Sequence, residues 1–158
     1  MFTLGKILFG ESIDFHKLIK CGNTSIILGD VKIKSEYKVK AHSDGDLVMH
    51  AIANAILGAC NKGDIGIYFP NINKYKNMDS TNILLFAIGQ LQNKFQINNV
   101  DLTIICDKIK LFKYRNQIIN NLISLTKCRN INVKFTRFEE NKEMIGCTCI
   151  VSVASKNK

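Results

Sequence analysis

The chain has no tryptophan, a single proline (Pro70) and only three histidines in 158 residues. No apolar run approaches the ~20 residues that a membrane-spanning helix needs. Residues 1–9 are apolar, but they are too few for a secretory signal and carry no small-residue cleavage site. No Pro-, Gly- or Ser-rich linker and no internal repeat divides the sequence. It reads as one domain over residues 1–158, long enough to bury roughly 70% of its unfolded surface. The expectation is a soluble, unprocessed protein of the cytoplasm, or of an organelle stroma if a transit peptide has been removed. Arginine is scarce too, with three among 22 basic residues. Nucleic-acid readers favour its planar fork, and the lysines here form no block. The net charge of +9 therefore points to small anions such as a phosphorylated substrate, not to nucleic acid or a membrane. The six cysteines include no C-x-x-C pair, so free thiols are expected, with Cys147 and Cys149 on one face of a strand.

What is present is regular patterning. Residues 4–13, 25–28 and 31–40 are rich in β-branched side chains and read as strands, with Gly29-Asp30 as a hairpin turn. Ser43 is expected to start a helix, with Asp46 in the capping-box position. Val48, Ala51, Ile52, Ala55, Ile56 and Ala59 give that helix its apolar face. Further helices are expected at 80–94 and 113–126, and strands at 100–106, 132–138 and 146–154. The fold class is α/β, an α+β sandwich. It has a mixed four-stranded sheet with an extra hairpin, and three helices on one face.

The three histidines all lie in the first third, beside acidic residues. Asp14 and His16 form a D-x-H pair whose side chains share one strand face. With His50 they make three N and O donors, the pattern of a catalytic zinc site with an open fourth position. Asp46, four residues before His50 on the helix, is placed to orient its ring. The stretch AHSDGDLVMH crowds His42, Ser43, Asp44 and Asp46 at a helix start, whose free amides suit a phosphate. The loop GDIGIYFPN sets Asp64 between two glycines, which suggests close backbone approach to a ligand.

AHSDGD, then His50, LGA (Leu57 to Ala59), GDIG and FP follow one another in an order and spacing that resemble the 2-C-methyl-D-erythritol 2,4-cyclodiphosphate synthase family. The upstream Asp14-x-His16 and the downstream NVDLTII and NVK segments are similar as well, so the resemblance spans about Gly10 to Ala154. It implies a homotrimer with active sites between subunits and a cytidine diphosphate substrate bearing a 2-phosphate. That phosphate attacks the β-phosphorus, CMP leaves, and a cyclic diphosphate forms. By the resemblance, Asp14, His16 and His50 hold a zinc-like ion, and a second ion, Mg²⁺ or Mn²⁺, sits at the diphosphate with help from Glu139. His42, Thr136 and Arg137 fall at catalytic positions. The substrate-binding positions begin with Asp14, Phe15, His16, His42 and Ser43. Asp64, Ile65, Gly66, Phe69, Pro70, Asn71, Ile72 and Asn73 wall the sugar-alcohol. Cys106, Lys110, Leu111 and Phe112 hold the cytidine, while Thr136, Arg137 and Glu139 face the phosphates.

Several positions depart from the family pattern. Ile109 stands where a proline precedes Lys110, and Arg137 where a threonine touches the diphosphate. Gly146 stands, in an ungapped alignment, where an arginine lines the trimer-axis channel. Asn54, Asn71 and Asn73 replace favoured aspartates. An alternative reading follows from these departures: a trimeric metal-binding relative that keeps the fold and has lost turnover. A basic binder of RNA or another polyanion is a third, although it lacks an aromatic platform.

Overall fold

The structure, a computed structural model, describes residues 5–75, 77–140 and 142–156. The start of the first expected strand at Leu4, with the rest of residues 1–4, lies outside the described residues, as do positions 76, 141, 157 and 158.

Strand β1 (Ile7–Leu28) organises everything else. It pairs antiparallel on one side with β2 (Val31–Lys40) and on the other with β5 (Met144–Ser155). Beyond β5 lie β3 (Phe95–Cys106), antiparallel to it, and then β4 (Ile131–Thr136), parallel to β3. The result is one five-stranded sheet in the order β2-β1-β5-β3-β4, which corrects the expected four strands plus hairpin. The hairpin is not an appendage because β1 runs unbroken through residues 14–24. That polar segment does not read as a strand in sequence because one of its faces is solvated. A register shift between Lys20 and Thr24, with Gly22 at φ +84°, absorbs the irregularity.

Among the described residues four α-helices, not three, accompany the sheet: α1 (Leu47–Ala59), the single turn α2 (Ile65–Tyr68), α3 (Ser80–Gly89) and α4 (Arg115–Thr126). Helix α1 lies between the sheet and α3, so 11 of its residues are buried. It starts at Leu47, not Ser43, because Gly45 (φ +79°) turns the chain away from helical geometry. Asp46 is the cap and accepts from the amides of Val48 and Met49 at 3.1 and 3.2 Å. Its carboxylate also accepts from Gly29 N and Asp30 N at 2.9 and 2.8 Å, which fastens the β1–β2 turn to the start of α1. Burial raises the Asp46 carboxyl above its ordinary value, and the backbone amides offset part of that.

Asn121 of α4 donates to the carbonyls of Gly29 and Asp30 at 3.3 Å, and Ile118 packs against Gly29. Since α4 also packs on β4, the two edges of the sheet curl toward the same helix. Helix α3 stops at Gly89, short of the expected residue 94, because Gln92 and Asn93 turn left-handed (φ 51° and 57°) into β3. Strand β3 accordingly begins at Phe95, earlier than expected. Strand β4 ends at Thr136, where Phe138 N donates instead to Asp107 Oδ2 at 2.9 Å. All six cysteines are free, and Cys147 and Cys149 do share the buried face of β5, where burial pushes both thiols well up.

On the sheet's other face an apolar patch stays bare around the exposed Glu11. Ile7, Phe9, Ile13 and Phe15 alternate along β1 and stay exposed, as does Ile150 of β5. Phe15 lies over Gly146, where a Cβ would meet its ring at 2.3 Å, and its ring stands 5.8 Å from that of Phe138.

Candidate metal centre

The site grows from the contact between β1 and α1. Alternate residues of β1 face the helix, and each makes a different closure. Gly10 lets the helix backbone approach at Ala55 and Ala59. Ser12 Oγ donates to the Ala51 carbonyl at 2.6 Å. Asp14 and His16 then meet His50, which projects from the same end of α1. The D-x-H alternation thus works as expected, and the shared strand face delivers both side chains to one point.

Asp14 Oδ2 lies 3.3 Å from His16 Nε2 and 3.3 Å from His50 Nδ1, and all three donor atoms fall within 4.8 Å of one another. Ligands bonded at ~2.0–2.1 Å to a tetrahedral zinc stand about 3.3 Å apart. Asp14 Oδ2 and His16 Nε2 are buried yet have no aligned hydrogen-bond partner among the described residues. Buried polar atoms left without a partner are costly, and a cation between them would satisfy both. Burial alone would raise the Asp14 carboxyl, but the imidazoles of His16 and His50, when they carry a proton toward it, outweigh it. They hold that carboxyl well below the ordinary carboxylate range, so it is ionised and ready to ligate. The donor set, two imidazoles and one carboxylate, fits a divalent metal.

Asp46 does not orient His50. Its oxygens are spent on the four backbone amides named above. Nor is the start of α1 an anion site, because Asp46 already occupies its free amides and the first turn is buried. His50 Nε2 instead meets Ser80 Oγ at 2.9 Å and Ser43 Oγ at 3.3 Å. Ser80 was legible only as a helix start. Its signal is that Asp79 already caps α3, through Thr81 N at 2.8 Å, which frees the Ser80 hydroxyl for other work.

Beside the cluster opens a cavity of about 520 Å³. His16, His42, Ser43 and His50 line one side, and Ile65, Phe69 and Asn71 line the other. His42 Nε2 donates to the Ile72 carbonyl at 3.0 Å, which ties the loop to the α1 approach. Phe69 packs edge-on against Tyr75 and Phe86, 5.6 and 5.2 Å between centroids, and so fixes the far wall. Asp64 caps α2 by accepting from Gly66 N at 2.8 Å, and Pro70 and Ile72 form the next turn. Asn73 opens a turn of 3₁₀ helix and Ile72 is exposed. Asn54 uses only its carbonyl oxygen, accepting from Ile65 N at 2.8 Å, a task an aspartate would do equally.

The remaining expected site residues gather elsewhere. Cys106, Lys110, Leu111, Phe112, Thr136 and Arg137 line a second cavity of about 550 Å³ between the ends of β3 and β4. It shares no lining residue with the first. Glu139 sits in the following loop at φ 64°, outside the Asp14–His16–His50 cluster. Phe15 points its side chain to the opposite sheet face, away from its neighbours Asp14 and His16.

Fold and site together define a small α+β protein with a candidate divalent-metal centre at a strand–helix contact, opening on a cavity. The chain belongs to the YgbB family, which it matches over residues 7–154. It is 37% identical over 147 residues to 2-C-methyl-D-erythritol 2,4-cyclodiphosphate synthase of Mycoplasmoides gallisepticum, covering 92% of this chain and 95% of that protein. Among solved structures it resembles the Plasmodium falciparum IspF–CDP complex (TM-score 0.83, 31% identity), with 96% of this chain and 97% of that one aligned. It also resembles the bifunctional IspDF of Campylobacter jejuni (TM-score 0.89, 29% identity), covering 97% of this chain but 43% of that longer one.

Proposed function

We propose that this chain cyclises 4-diphosphocytidyl-2-C-methyl-D-erythritol 2-phosphate to 2-C-methyl-D-erythritol 2,4-cyclodiphosphate with release of CMP, in isoprenoid precursor biosynthesis. The observation that carries this reading is the Asp14–His16–His50 cluster on the cavity edge of a YgbB-family chain. An oxygen of the 2-phosphate attacks the β-phosphorus. The bond from that phosphorus to the bridging oxygen breaks, and CMP takes the electron pair. Asp14, His16 and His50 would hold a divalent ion, which would supply Lewis-acid polarisation of the β-phosphate and offset its charge. Two imidazoles and a carboxylate suit zinc.

In this reading His42 and Ser43 hold the phosphate and diol end. Asp64 to Gly66 and Phe69 to Asn73 wall the sugar-alcohol. Lys110 and the backbone from Cys106 to Phe112 take the cytidine. Thr136 and Arg137 present a hydroxyl and a guanidinium to the diphosphate, the latter in a bidentate mode that a threonine lacks. Glu139 helps a second ion, Mg²⁺ or Mn²⁺.

The test is CMP release with and without chelator, with phosphorus NMR of the product. Metal-dependent release and a cyclic diphosphate are expected. Bound metal with no CMP released would favour the alternative relative without turnover.

A homotrimer completes the site. Within one chain the metal cavity and the Cys106–Arg137 cavity are separate, so a substrate spanning both needs a second subunit. The bare face of Ile7, Phe9, Ile13, Phe15 and Ile150 is the surface for such assembly. Sedimentation equilibrium is expected to give three times the 17.8 kDa chain mass, and Ile13→Glu to reduce it to the monomer by burying like charges together. A wild-type monomer at micromolar concentration would contradict this assembly.

A further inference from the structure

His50 is held at both ends of its ring. Nδ1 faces Asp14 Oδ2, while Nε2 faces the hydroxyl of Ser80, a fully buried residue. A serine hydroxyl has a single proton. Here the Asp44 carboxylate takes it: Ser80 Oγ donates to Asp44 Oδ1, and Ser80 N donates to Asp44 Oδ2 at 2.9 Å. Asp46 N also donates to Asp44 Oδ1, at 3.1 Å, which fixes the carboxylate from a third direction. An ionised carboxylate only accepts, so Ser80 Oγ has nothing but lone pairs left to offer the ring. Toward Ser80, the nearer hydroxyl, a neutral ring therefore donates from Nε2, which leaves Nδ1 bare.

Left to itself the ring would choose the other tautomer. A proton on Nδ1 could be given directly to the Asp14 carboxylate, 3.3 Å away. With the proton on Nε2, a neutral ring would instead set a bare nitrogen against a carboxylate oxygen, lone pair to lone pair. That is unfavourable in an empty site and favourable around a cation.

We propose that Asp44 and Ser80 are positioning residues that lock His50 in the Nε2–H tautomer and so reserve Nδ1 for the metal. The proposal rests on the metal centre described above and adds two residues that do not touch the ion. Asp44 comes from the loop before α1, Ser80 from the start of α3 and His50 from α1. The relay therefore also ties the seating of α3 to the ligand geometry. Ser43 Oγ, at 3.3 Å, is the more distant of the two hydroxyls and itself accepts from Gly45 N at 3.3 Å.

The test combines long-range ¹H–¹⁵N spectra of histidine-labelled apoprotein at about pH 8, where an ordinary imidazole is neutral, with Zn²⁺ titration against a chromophoric chelator. Wild-type His50 is expected to show a protonated Nε2 and a bare Nδ1. In Ser80→Ala the proton is expected to shift toward Nδ1 and Zn²⁺ affinity to fall about 10–100-fold, the usual effect of losing a ligand's outer hydrogen bond. Ser80→Thr, which keeps the hydroxyl, should restore both. Asp44→Asn keeps the shape, but its amide can donate to Ser80 Oγ and release the hydroxyl proton to His50. It is expected to act like Ser80→Ala, and it serves if that variant does not fold.

A wild-type spectrum with the proton on Nδ1 overturns the proposal without any variant. Unchanged tautomer and Zn²⁺ affinity in Ser80→Ala and Asp44→Asn overturn it as well. A wild-type protein that binds no Zn²⁺ overturns the metal centre itself, and the relay's purpose with it.

Discussion

Alanine at Asp14, His16 or His50 is expected to lower CMP release by roughly 10³-fold or more and to strip the bound metal. The three side chains supply all the donors of the cluster, and each comes from a rigid element, two from β1 and one from α1. Removing one leaves two ligands, too few for a closed set of three with a free position. Lewis-acid stabilisation of a phosphoryl transition state is worth several kcal/mol, and about 4 kcal/mol corresponds to a rate factor near 10³. The fold should survive. Asp14 Oδ2 and His16 Nε2 make no aligned hydrogen bond among the described residues, so truncating them removes little that holds the chain together, while His50→Ala also gives up the contact with Ser80. Circular dichroism, metal content and CMP release on the same preparations separate the two effects. A folded variant that has lost its metal and turns over at the wild-type rate would remove the triad from the chemistry.

Gly10→Ala is expected to destabilise the protein by about 3 kcal/mol or more, at the upper end of overpacking costs. A Cβ at residue 10 would lie 1.7 Å from the Ala55 carbonyl oxygen and 2.7 Å from Ala59 N. Both are backbone atoms of α1, so no rotamer change relieves the clash, and the helix must back away by more than an ångström. His50 rides on that helix while Asp14 and His16 stay on β1, and metal sites tolerate only about ±0.2 Å in their ligand distances. The variant should therefore lose metal as well as stability. Urea midpoint and bound metal per chain are the readouts. Gly89→Ala is the control, since nothing lies within 4 Å of a Cβ there, and alanine suits a helix better by roughly 0.5–1 kcal/mol. Equal effects from both substitutions would mean that the close approach at Gly10 is not what seats α1.

The metal triad was legible because its geometry is local on each side. Asp14 and His16 need only strand alternation, and His50 needs only a helix that packs on that strand. The helix ends were less legible. Ser43 and Asp46 both look like caps, and only the left-handed turn at Gly45 decides between them. The full length of β1 was hidden because residues 14–24 are largely exposed, with Leu18 alone buried, and four consecutive exposed residues (20–23) interrupt the alternation. Asp46 shows the limit more sharply. Its spacing to His50 suggested contact, yet its oxygens go to a turn 16 and 17 residues upstream, a tertiary pairing that no spacing rule contains. Ser80 and Asp44 escaped for the same reason, because they meet His50 only once α3 has docked on α1. Arg137 and Lys110 could be singled out through the family resemblance alone, since neither has a motif of its own.

The pairing of β1 with β5 also sets the order in which the molecule can be built. Asp14 lies opposite Cys147, 133 residues later in the chain. A ribosome delivers β1, β2 and α1 early, and the β1–β2 turn can latch onto Asp46 as soon as that helix forms. Until the last strand emerges, however, one edge of β1 has no hydrogen-bond partner and Phe9 and Ile13 project from an unfinished sheet. Contacts this far apart in sequence form slowly, and such intermediates are the ones that associate wrongly. The strand that holds two residues of the candidate metal centre is thus synthesised among the first and secured among the last. A nascent chain can present Asp14, His16 and His50 to a cation long before it has the rigidity to hold one.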